Sequence, residues 1–239
     1  SVPEAVTKIR GPKGTLVTLN LYRESESKPF DVAIKRETII VKSLEVEYKT
    51  ENGKKIAILK LSRFGDDTEN EWKSEVDSII KNKTDGIILD MRNNPGGYLN
   101  GAVFVASEFL KDGLIVTQEN YAGQRQEMKV DRQGKLTDLP MAVLINKGSA
   151  SASEIVAGAL RDRKRAKIVG EQSFGKGSVQ ESEDLAGGSA LHVTVAKWLL
   201  PGGSWINGTG ITPDIIVEQD AKQPEKDLQM EKAIGIIGV

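Results

Sequence analysis

The sequence predicts a mixed α/β fold, because strand-like and helix-like stretches alternate through most of its 239 residues. The apolar run 86–91 precedes a helical pattern at 98–110. Further along, the apolar run 141–146 precedes a helical pattern at 153–163. Unbroken apolar runs of this length are typical of strands buried on both faces of a parallel sheet. Repeated strand–turn–helix units indicate such a sheet with helices packed against it.

Residues 1–38 are predicted to form a small β-rich module. A short helix is expected from Pro3 to Ile9, with a proline near its start. The alternating stretches 15–22 and 30–35 predict two strands. A helix and two strands are too few to bury a core alone, so this piece is either incomplete or packs on the rest of the chain.

A larger α/β unit is predicted from residue 39 to residue 218, and its first hairpin turns at Asn52-Gly53. Residues 219–239 are predicted to be a linker, at 219–223, and a terminal helix, at 225–234. The other predicted elements, in order, are strands at 44–49 and 55–61, a helix at 67–83, a strand at 86–91, a helix at 98–110, a strand at 114–118, a hairpin or flap at 120–138, a strand at 141–146, a helix at 153–163, and strands at 166–170, 178–182 and 190–199, the last two around a turn at 186–188.

The composition excludes several classes of function. A net charge of −1 gives no overall attraction for nucleic acid or anionic lipid, so nucleic acid is not a predicted partner. The absence of cysteine excludes thiol nucleophiles, disulfides and Cys-ligated zinc. No apolar run approaches the ~18 residues of a transmembrane helix. The sequence begins without a charged-then-apolar leader, so no signal peptide is predicted in it.

The single histidine, His192, is a poor candidate for a catalytic base. It lies in the alternating stretch 190–197, and such alternation predicts a strand with His192 at its surface. A Ser-His-Asp triad is therefore not expected. Neither a His-rich site nor a carboxylate cluster is present in the sequence, so no metal and no cofactor are predicted.

A run of small residues between a predicted strand and a predicted helix is the first candidate for chemistry. It reads Asn-Lys-Gly-Ser-Ala-Ser-Ala-Ser-Glu-Ile from 146 to 155 and contains Ser149, Ser151 and Ser153. Such a turn leaves backbone N–H groups free and exposes a short side chain. Each serine taken alone is more simply a helix cap.

The second candidate is Lys176, in the loop 173–178. A surface lysine is usually a solvated charge. Here Phe174 and two glycines surround it, and packing around the amine is expected to remove water from it. Desolvation disfavours the ammonium and favours the neutral amine, which can take a proton from a serine hydroxyl.

The same loop nearly fits the phosphate-binding pattern G-x-x-x-x-G-K-[ST]. Position 177 is glycine where that pattern needs Ser or Thr to hold Mg²⁺. A strand, rather than a helix, is predicted to come next, and a phosphate would then lack the N–H groups of a helix N-terminus. Nucleotide binding is therefore disfavoured.

A Gly-rich turn is the third candidate. It comes after the strand at 86–91 and reads Arg-Asn-Asn-Pro-Gly-Gly from 92 to 97. A strand end with a turn explains it without any chemistry, and Asp90 and Arg92 are expected to brace that turn. A backbone N–H of the turn can also serve as an oxyanion donor.

Together the three motifs resemble those of the carboxyl-terminal processing peptidases, which are Ser–Lys serine peptidases with a PDZ domain and include the tail-specific proteases. The resemblance implies that Ser151 is the nucleophile and Lys176 the general base. Gln180 matches a glutamine of that family and is expected to hold the lysine amine. The matching stretches are Asp90–Gly97, Asn146–Ile155 and Phe174–Gly177, in the order that the family has them.

The resemblance implies further roles. Gly97, with Gly96 as the less favoured choice, is expected to donate an N–H to the oxyanion together with Ala152. Ser153 falls in the first turn of the helix and is expected to cap it. Asp162 matches an acidic position for which an orienting or structural role is expected. Arg10 is a candidate contact between the N-terminal module and the catalytic unit, although a plain surface arginine is the simpler interpretation.

The resemblance also implies a fold and a function. Residues 39–218 are expected to form a crotonase-like β/α core, and residues 1–38 the C-terminal portion of a PDZ domain, matched at 4–15. The part of a PDZ domain that captures a peptide carboxylate precedes that match. The implied function is an extracytoplasmic endopeptidase that cuts near nonpolar C-termini of proteins through an acyl-enzyme. The alternative is a noncatalytic peptide-binding fragment.

Overall fold

The computed structural model describes residues 2–39, 42–185, 189–219 and 225–238. The chain forms two compact units, Ser1–Val41 and Lys42–Val239. The turn predicted at 186–188 lies outside the described residues, as does most of the linker predicted at 219–223. In the described parts of the chain, no helix is both long and apolar enough to cross a lipid bilayer.

The first unit consists of one helix and one antiparallel hairpin. The guanidinium of Arg36 joins them, because it donates to the carbonyls of Ile9 and Leu16. None of the residues between 2 and 39 whose exposure is described is buried, so this unit holds no apolar core of its own. Its elements are α1 (Val2–Ile9), β1 (Leu16–Leu21) and β2 (Phe30–Lys35).

The second unit carries the remaining elements. They occur in the predicted order, except that a short strand at Ile215–Ile216 was not predicted and that Arg125–Lys129 was predicted only as part of a hairpin or flap. The two-residue turn of the first hairpin has positive φ at Asn52 (49°) and Gly53 (78°), as the Asn-Gly dipeptide favours. The elements are β3 (Leu44–Glu51), β4 (Lys54–Leu61), α2 (Thr68–Lys81), β5 (Gly86–Asp90), α3 (Leu99–Phe109), β6 (Leu114–Asn120), β7 (Arg125–Lys129), β8 (Met141–Ile145), α4 (Ala152–Asp162), β9 (Lys167–Gly170), β10 (Ser178–Asp184), β11 (Ala190–Leu199), β12 (Ile215–Ile216) and α5 (Leu228–Ile236).

A six-stranded sheet with the order β12-β9-β8-β5-β4-β3 forms the centre of this unit. All neighbouring pairs are parallel except β3 and β4. Successive side chains of a strand point to opposite faces, so Ile87 and Leu89 join one apolar cluster with Trp72, while Ile88 joins another with Ile234 of α5. Each fully buried side chain of this size stabilises the fold by roughly 1.5–3 kcal/mol.

The parallel strands bring the three sequence motifs to one edge of the sheet. β5 ends at Asp90, β8 at Ile145 and β9 at Gly170, and these three strands are neighbours. The carboxyl ends of neighbouring parallel strands lie side by side, which is where open α/β sheets carry their sites. The Gly-rich turn (92–97), the serine turn (146–155) and the lysine loop (173–178) therefore leave the sheet next to one another.

A second, four-stranded antiparallel sheet with the order β10-β11-β6-β7 adjoins the lysine loop. β10 begins at Ser178, two residues after Lys176, so a strand comes after the lysine as the sequence predicted. A nucleotide-binding loop is followed by a helix instead. The indole Nε1 of Trp198 on β11 donates to the carbonyl of Lys176 over 3.0 Å and fixes the loop to this sheet.

Candidate active site

Two of the three serines in the serine turn are committed to holding it together. The hydroxyl of Ser149 donates to the carbonyl of Met91 over 2.8 Å, and that of Ser153 donates to the carbonyl of Asn94 over 3.0 Å. Both serines are fully buried. Ser151 occupies the N-cap of α4, so the expectation that Ser153 caps this helix is wrong. The Ser151 hydroxyl donates no hydrogen bond to the described residues, so its proton is available for chemistry.

The backbone of Ser151 makes a sharp turn with φ 58° and ψ −117°. Non-glycine residues rarely adopt such a conformation, and it persists where the surroundings fix it. The turn brings Ser151 against Gly96: a Cβ on Gly96 would lie 2.7 Å from the Cβ of Ser151 and 2.9 Å from the N of Ala152. The Gly-rich turn therefore lies directly against Ser151, and because of this close approach only glycine fits at position 96.

Glu154 joins the serine turn to the lysine loop. Its side chain is completely buried and accepts four hydrogen bonds, from the N–H groups of Ser151, Gly175 and Lys176 and from the hydroxyl of Ser173. Four donors match the acceptor positions of an ionised carboxylate. One oxygen, Oε2, accepts both the Ser151 N–H (2.8 Å) and the Lys176 N–H (2.9 Å). The backbones of the two predicted catalytic residues therefore meet at one atom.

The side chain of Lys176 differs from the prediction. The residue is exposed, and the expectation of a dry amine is therefore wrong for this structure. Phe174, two residues earlier, is itself 66% exposed, and the flanking glycines have no side chains with which to cover the amine. Between the described residues Ser151 and Lys176, no side-chain hydrogen bond is formed.

The Gly-rich turn leaves one backbone donor open at the serine. The N–H of Gly96 is used, since it donates to Oδ1 of Asn94 over 2.9 Å. Within the described part of the chain, the N–H groups of Gly97 and Ala152 make no hydrogen bond. Gly97 has φ 141°, and a Cβ there would lie 2.0 Å from the carbonyl oxygen of Phe64. Glycine is required at this position too.

Arg92 braces the Gly-rich turn, as predicted for it and for Asp90. Its Nη2 lies 2.6 Å from Asp90 and 2.8 Å from Asp227, and its Nη1 also contacts Asp227 (2.8 Å) and Gln229 (3.2 Å). Burial alone lowers the pKa of Arg92, but its hydrogen bonds and charge interactions with the two aspartates outweigh burial and raise it. Burial likewise raises the pKa of Asp227, yet the hydrogen bond from Arg92 and those from the backbone lower it overall.

Of the other predicted residues, Asp162 lies away from this cluster. Asp162, at the far end of α4, accepts from Arg161 and from the N–H of Gly202 and so holds a loop in place. An 11-residue helix is about 16 Å long, which separates Asp162 from Ser151. Gln180 is exposed on β10, and its role toward Lys176 stays a prediction. His192 is an exposed residue of β11, as predicted. The role of Arg10 concerns the first unit and stays a prediction.

Sequence reasoning missed three residues of this cluster. Asn94 is completely buried; its carbonyl accepts the N–H of Ala150, and its amide donates to the carbonyl of Leu61. Glu154 had a readable signal, since it lies three residues after Ser151 in the S-x-x-E spacing of a capping box. Asp227 had none, because it lies 135 residues from Arg92 in sequence.

Comparison with known proteins explains why these motifs occur together. The model of peptidase family S41 matches residues 55–217, which is more than half of the chain. The chain belongs to peptidase family S41. The matched residues include the Gly-rich turn, the serine turn and the lysine loop, and the resemblance stated from those motifs is confirmed.

Relatives of this S41 chain are named as proteases. It is 46% identical over 238 residues to the carboxy-terminal-processing protease of Bartonella bacilliformis, covering 97% of the chain and 53% of that protein. It is 41% identical over 216 residues to a protein of Staphylococcus epidermidis named "Probable CtpA-like serine protease", covering 90% of the chain and 43% of that protein. The chain thus spans about half the length of the curated relatives that it matches.

A solved structure shares the fold. The photosystem II D1 C-terminal processing protease superposes with a TM-score of 0.70 at 29% identity, over 96% of this chain and 61% of that one. The mixed α/β prediction is confirmed by this S41 neighbour.

Proposed function

We propose that the second unit of this S41 chain is the catalytic part of a serine endopeptidase that works through an acyl-enzyme, with Ser151 as nucleophile and Lys176 as general base. The observation that carries the proposal is the shared oxygen of Glu154, which accepts the N–H groups of both residues within 2.9 Å. A nucleophile and a base on adjacent, mutually fixed turns are the arrangement that serine hydrolysis requires.

The proposed reaction has two halves. In the first, Ser151 Oγ forms a bond to the scissile carbonyl carbon while Lys176 Nζ takes the hydroxyl proton; the C–N bond then breaks and the proton passes to the leaving amine. In the second, water attacks the acyl carbon and gives its proton to Lys176 Nζ, which returns it to Ser151 Oγ as the acid is released. The same lysine serves as base and acid in each half.

The open N–H groups of Gly97 and Ala152 are proposed to stabilise the tetrahedral intermediates. Both belong to turns that pack against Ser151, and both lack a partner among the described residues. Fixed donors aimed at the developing oxyanion are typically worth about 3 kcal/mol each. Gly97 is preferred to Gly96, since the N–H of Gly96 is already bonded to Asn94.

The exposed amine of Lys176 has to change its surroundings before it can act. In this proposal the flexible lysine side chain turns toward Ser151, with Gln180 as its partner, when a peptide covers the site. Exclusion of water by the peptide then favours the neutral amine. Catalytic hydrogen bonds that are absent in a ligand-free site often form only in the substrate complex.

The substrate class and the location are proposed from the similarity to relatives. The relatives' names support cleavage near the C-termini of proteins, and we extend this to nonpolar tails and an extracytoplasmic location. A crotonase-like core for the second unit, and a PDZ portion for residues 1–38 with Arg10 as a contact, belong to the same proposal.

A peptidase assay tests the proposal directly. The substrate is a folded protein that ends in a flexible tail of Ala, Val and Leu, and cleavage is located by mass spectrometry. Wild type should cut within the tail, whereas Ser151→Ala and Lys176→Ala should each lose at least about a thousandfold in rate. Lys147→Ala is the matched control, since this lysine lies in the serine turn, is exposed to solvent and should be dispensable. Cleavage that survives both test substitutions rules out the mechanism.

A noncatalytic peptide-binding role is the second candidate. The observation in its favour is the exposed Lys176 without a hydrogen bond to Ser151. It predicts that wild type binds the same apolar-tailed protein without cutting it. Binding measured by calorimetry alongside the cleavage assay separates the two functions.

A further inference from the structure

The C-terminal helix contacts the proposed active site, although it lies beyond the residues that the family model matches. That match ends at residue 217, and α5 begins at Leu228. The helix packs its apolar side against the central sheet, where Ala233 and Ile234 join the cluster that includes Leu144 of β8. Its N-cap residue, Asp227, is thereby brought to the sheet edge that carries the three motifs.

Asp227 faces Arg92 with both carboxylate oxygens. Oδ1 accepts from Nη1 and Oδ2 from Nη2, each over 2.8 Å. Two parallel hydrogen bonds between a guanidinium and a carboxylate fix the geometry as well as the distance. Asp90 accepts from Nε and Nη2 on the other side of the guanidinium. Arg92 is thus clamped between a strand end and the start of a helix.

Arg92 is the first residue of the turn that ends at Gly97, and further hydrogen bonds hold the turn after it. The N–H of Asn93 donates to Oδ1 of Asn146 over 2.8 Å, and the N–H of Gly96 donates to Oδ1 of Asn94. Beyond the turn, the N–H of Tyr98 donates to the carbonyl of Phe64. These bonds hold the turn from residue 93 onward, whereas the contacts of Arg92 with Asp90 and Asp227 fix its start.

We propose that Asp227 is a positioning residue of this active site: through Arg92 it fixes the Gly-rich turn so that the Gly97 N–H points at the oxyanion. The proposal rests on the proposed peptidase function. The proposal gives the N-terminus of α5 a role in positioning the catalytic groups.

Helix capping and the contact with Arg92 can be separated at Asp227. Oδ1 also accepts the N–H of Met230 over 2.9 Å, which is the capping bond, whereas Oδ2 accepts from the Arg92 side chain. Asparagine is as good an N-cap as aspartate. Asp227→Asn therefore keeps the cap but replaces one acceptor by an NH₂ group that faces the Arg92 guanidinium.

The test compares Asp227→Asn with wild type and with Glu231→Gln. The control removes one negative charge from the same helix turn at an exposed position. We measure kcat and KM on the apolar-tailed substrate and the inhibition constant of a peptide aldehyde of the same tail sequence. Ser151 Oγ adds to the aldehyde carbonyl, and the resulting adduct places an oxyanion-like oxygen in the site.

For Asp227→Asn we expect kcat to fall by about tenfold or more, because a small misplacement of a catalytic group can cost up to about a hundredfold. Aldehyde affinity should fall by a similar factor, with KM little changed, and Glu231→Gln should match wild type. A merely structural role predicts that only thermal stability changes. Unaltered kcat and aldehyde affinity in Asp227→Asn overturn the inference.

A second variant, Arg92→Lys, keeps the positioning role testable if Asp227→Asn misfolds. The outcomes also distinguish failure of this inference from failure of the proposed peptidase function. Arg92→Lys keeps the positive charge but cannot form the two-pronged contact, so it should reproduce the loss of kcat with a wild-type far-UV spectrum. If Arg92→Lys has wild-type kcat, Asp227 has no route to Gly97 and the inference is wrong. If wild type itself does not cleave, the peptidase function fails instead.

Discussion

At Ser151 the backbone has φ 58° and ψ −117°, a combination that L side chains seldom adopt. Its neighbours hold it there: Glu154 accepts the Ser151 N–H, and Gly96 lies against the Ser151 Cβ. Strained residues that the surroundings fix in this way occur where function requires the geometry, and each costs roughly 1–3 kcal/mol. The strain is in the residue proposed as nucleophile, so activity and stability should conflict at this position.

Ser151→Gly should be more stable than Ser151→Ala by roughly 1 kcal/mol. Glycine relieves the positive-φ strain, which exceeds the ~0.4–1 kcal/mol that its greater unfolded-state entropy costs. Both variants lack the hydroxyl, so their difference isolates the backbone. Urea unfolding monitored by circular dichroism measures it. If the alanine variant is the more stable, the turn at Ser151 is unstrained.

Glu154→Gln should reduce kcat by about a hundredfold, because the catalytic groups on both turns would shift. The amide NH₂ cannot accept the N–H donors that converge on this side chain, which leaves buried groups unpaired. Each such group costs about 1–3 kcal/mol, so the free energy of unfolding should fall as well. Peptidase assay and urea unfolding report the two effects.

The control for Glu154→Gln is Glu171→Gln. Glu171 comes directly after β9 beside the same site, but its ion pair is with the exposed Lys147. This variant should keep wild-type kcat and unfolding free energy. Equal losses in both variants would mean that negative charge near the site, rather than the four hydrogen bonds of Glu154, matters.

At the scale of elements, the strands of the central sheet were readable because buried strands appear in the sequence as unbroken apolar runs. β5 and β8 are entirely buried, and both were predicted within a residue of their ends. β7 was foreseen only as a hairpin or flap, since Arg125–Lys129 is polar and mostly exposed. Its pairing with β6, rather than its own pattern, makes it a strand.

The features of the site that depend on local backbone geometry could be predicted from the sequence. Small residues at 96, 97 and 151 mark sharp turns, and the structure has positive φ at all three. Contacts between distant elements have no such signature. The dry amine predicted for Lys176 was wrong: Lys176 is exposed, as is Phe174, since closeness in sequence does not by itself bury a side chain.

The start of α5 should make stability sensitive to acid. The pKa of Asp227 is lower in the folded chain than its ordinary value, so the ionised form stabilises the fold. This contribution is complete above the ordinary aspartate pKa of ~3.9 and is lost as the pH falls through the lower folded value. Asp227→Asn cannot lose it, so its unfolding free energy should decline less than that of wild type as the pH is lowered from about 5 to about 3.

Glu231→Gln is again the matched comparison for this acid effect, because Glu231 is exposed on the same helix. Its unfolding free energy should track that of wild type over the whole acid range. Parallel curves for wild type and Asp227→Asn would show that the Arg92 pair does not stabilise the fold.

On the scale of the whole molecule, the two units differ in how much apolar surface each of them buries internally. The second unit buries its apolar side chains in two clusters on opposite faces of the central sheet. The first unit leaves Val2 78% and Leu16 68% exposed, and none of its residues of described exposure is buried. Burial of apolar surface is the main driving force of folding, so stability should reside in the second unit.

Residues 42–239 expressed alone should therefore fold, whereas a peptide of residues 1–41 should not. The three tryptophans, Trp72, Trp198 and Trp205, all lie in the second unit, so near-UV circular dichroism reports its packing. The longer fragment should keep the near-UV signal and the cooperative thermal transition of the full chain, while the peptide should give a coil-like far-UV spectrum with no transition, as expected of a hairpin without a core. A cooperative transition in the peptide, or its loss from residues 42–239, would place the folding unit elsewhere in the chain.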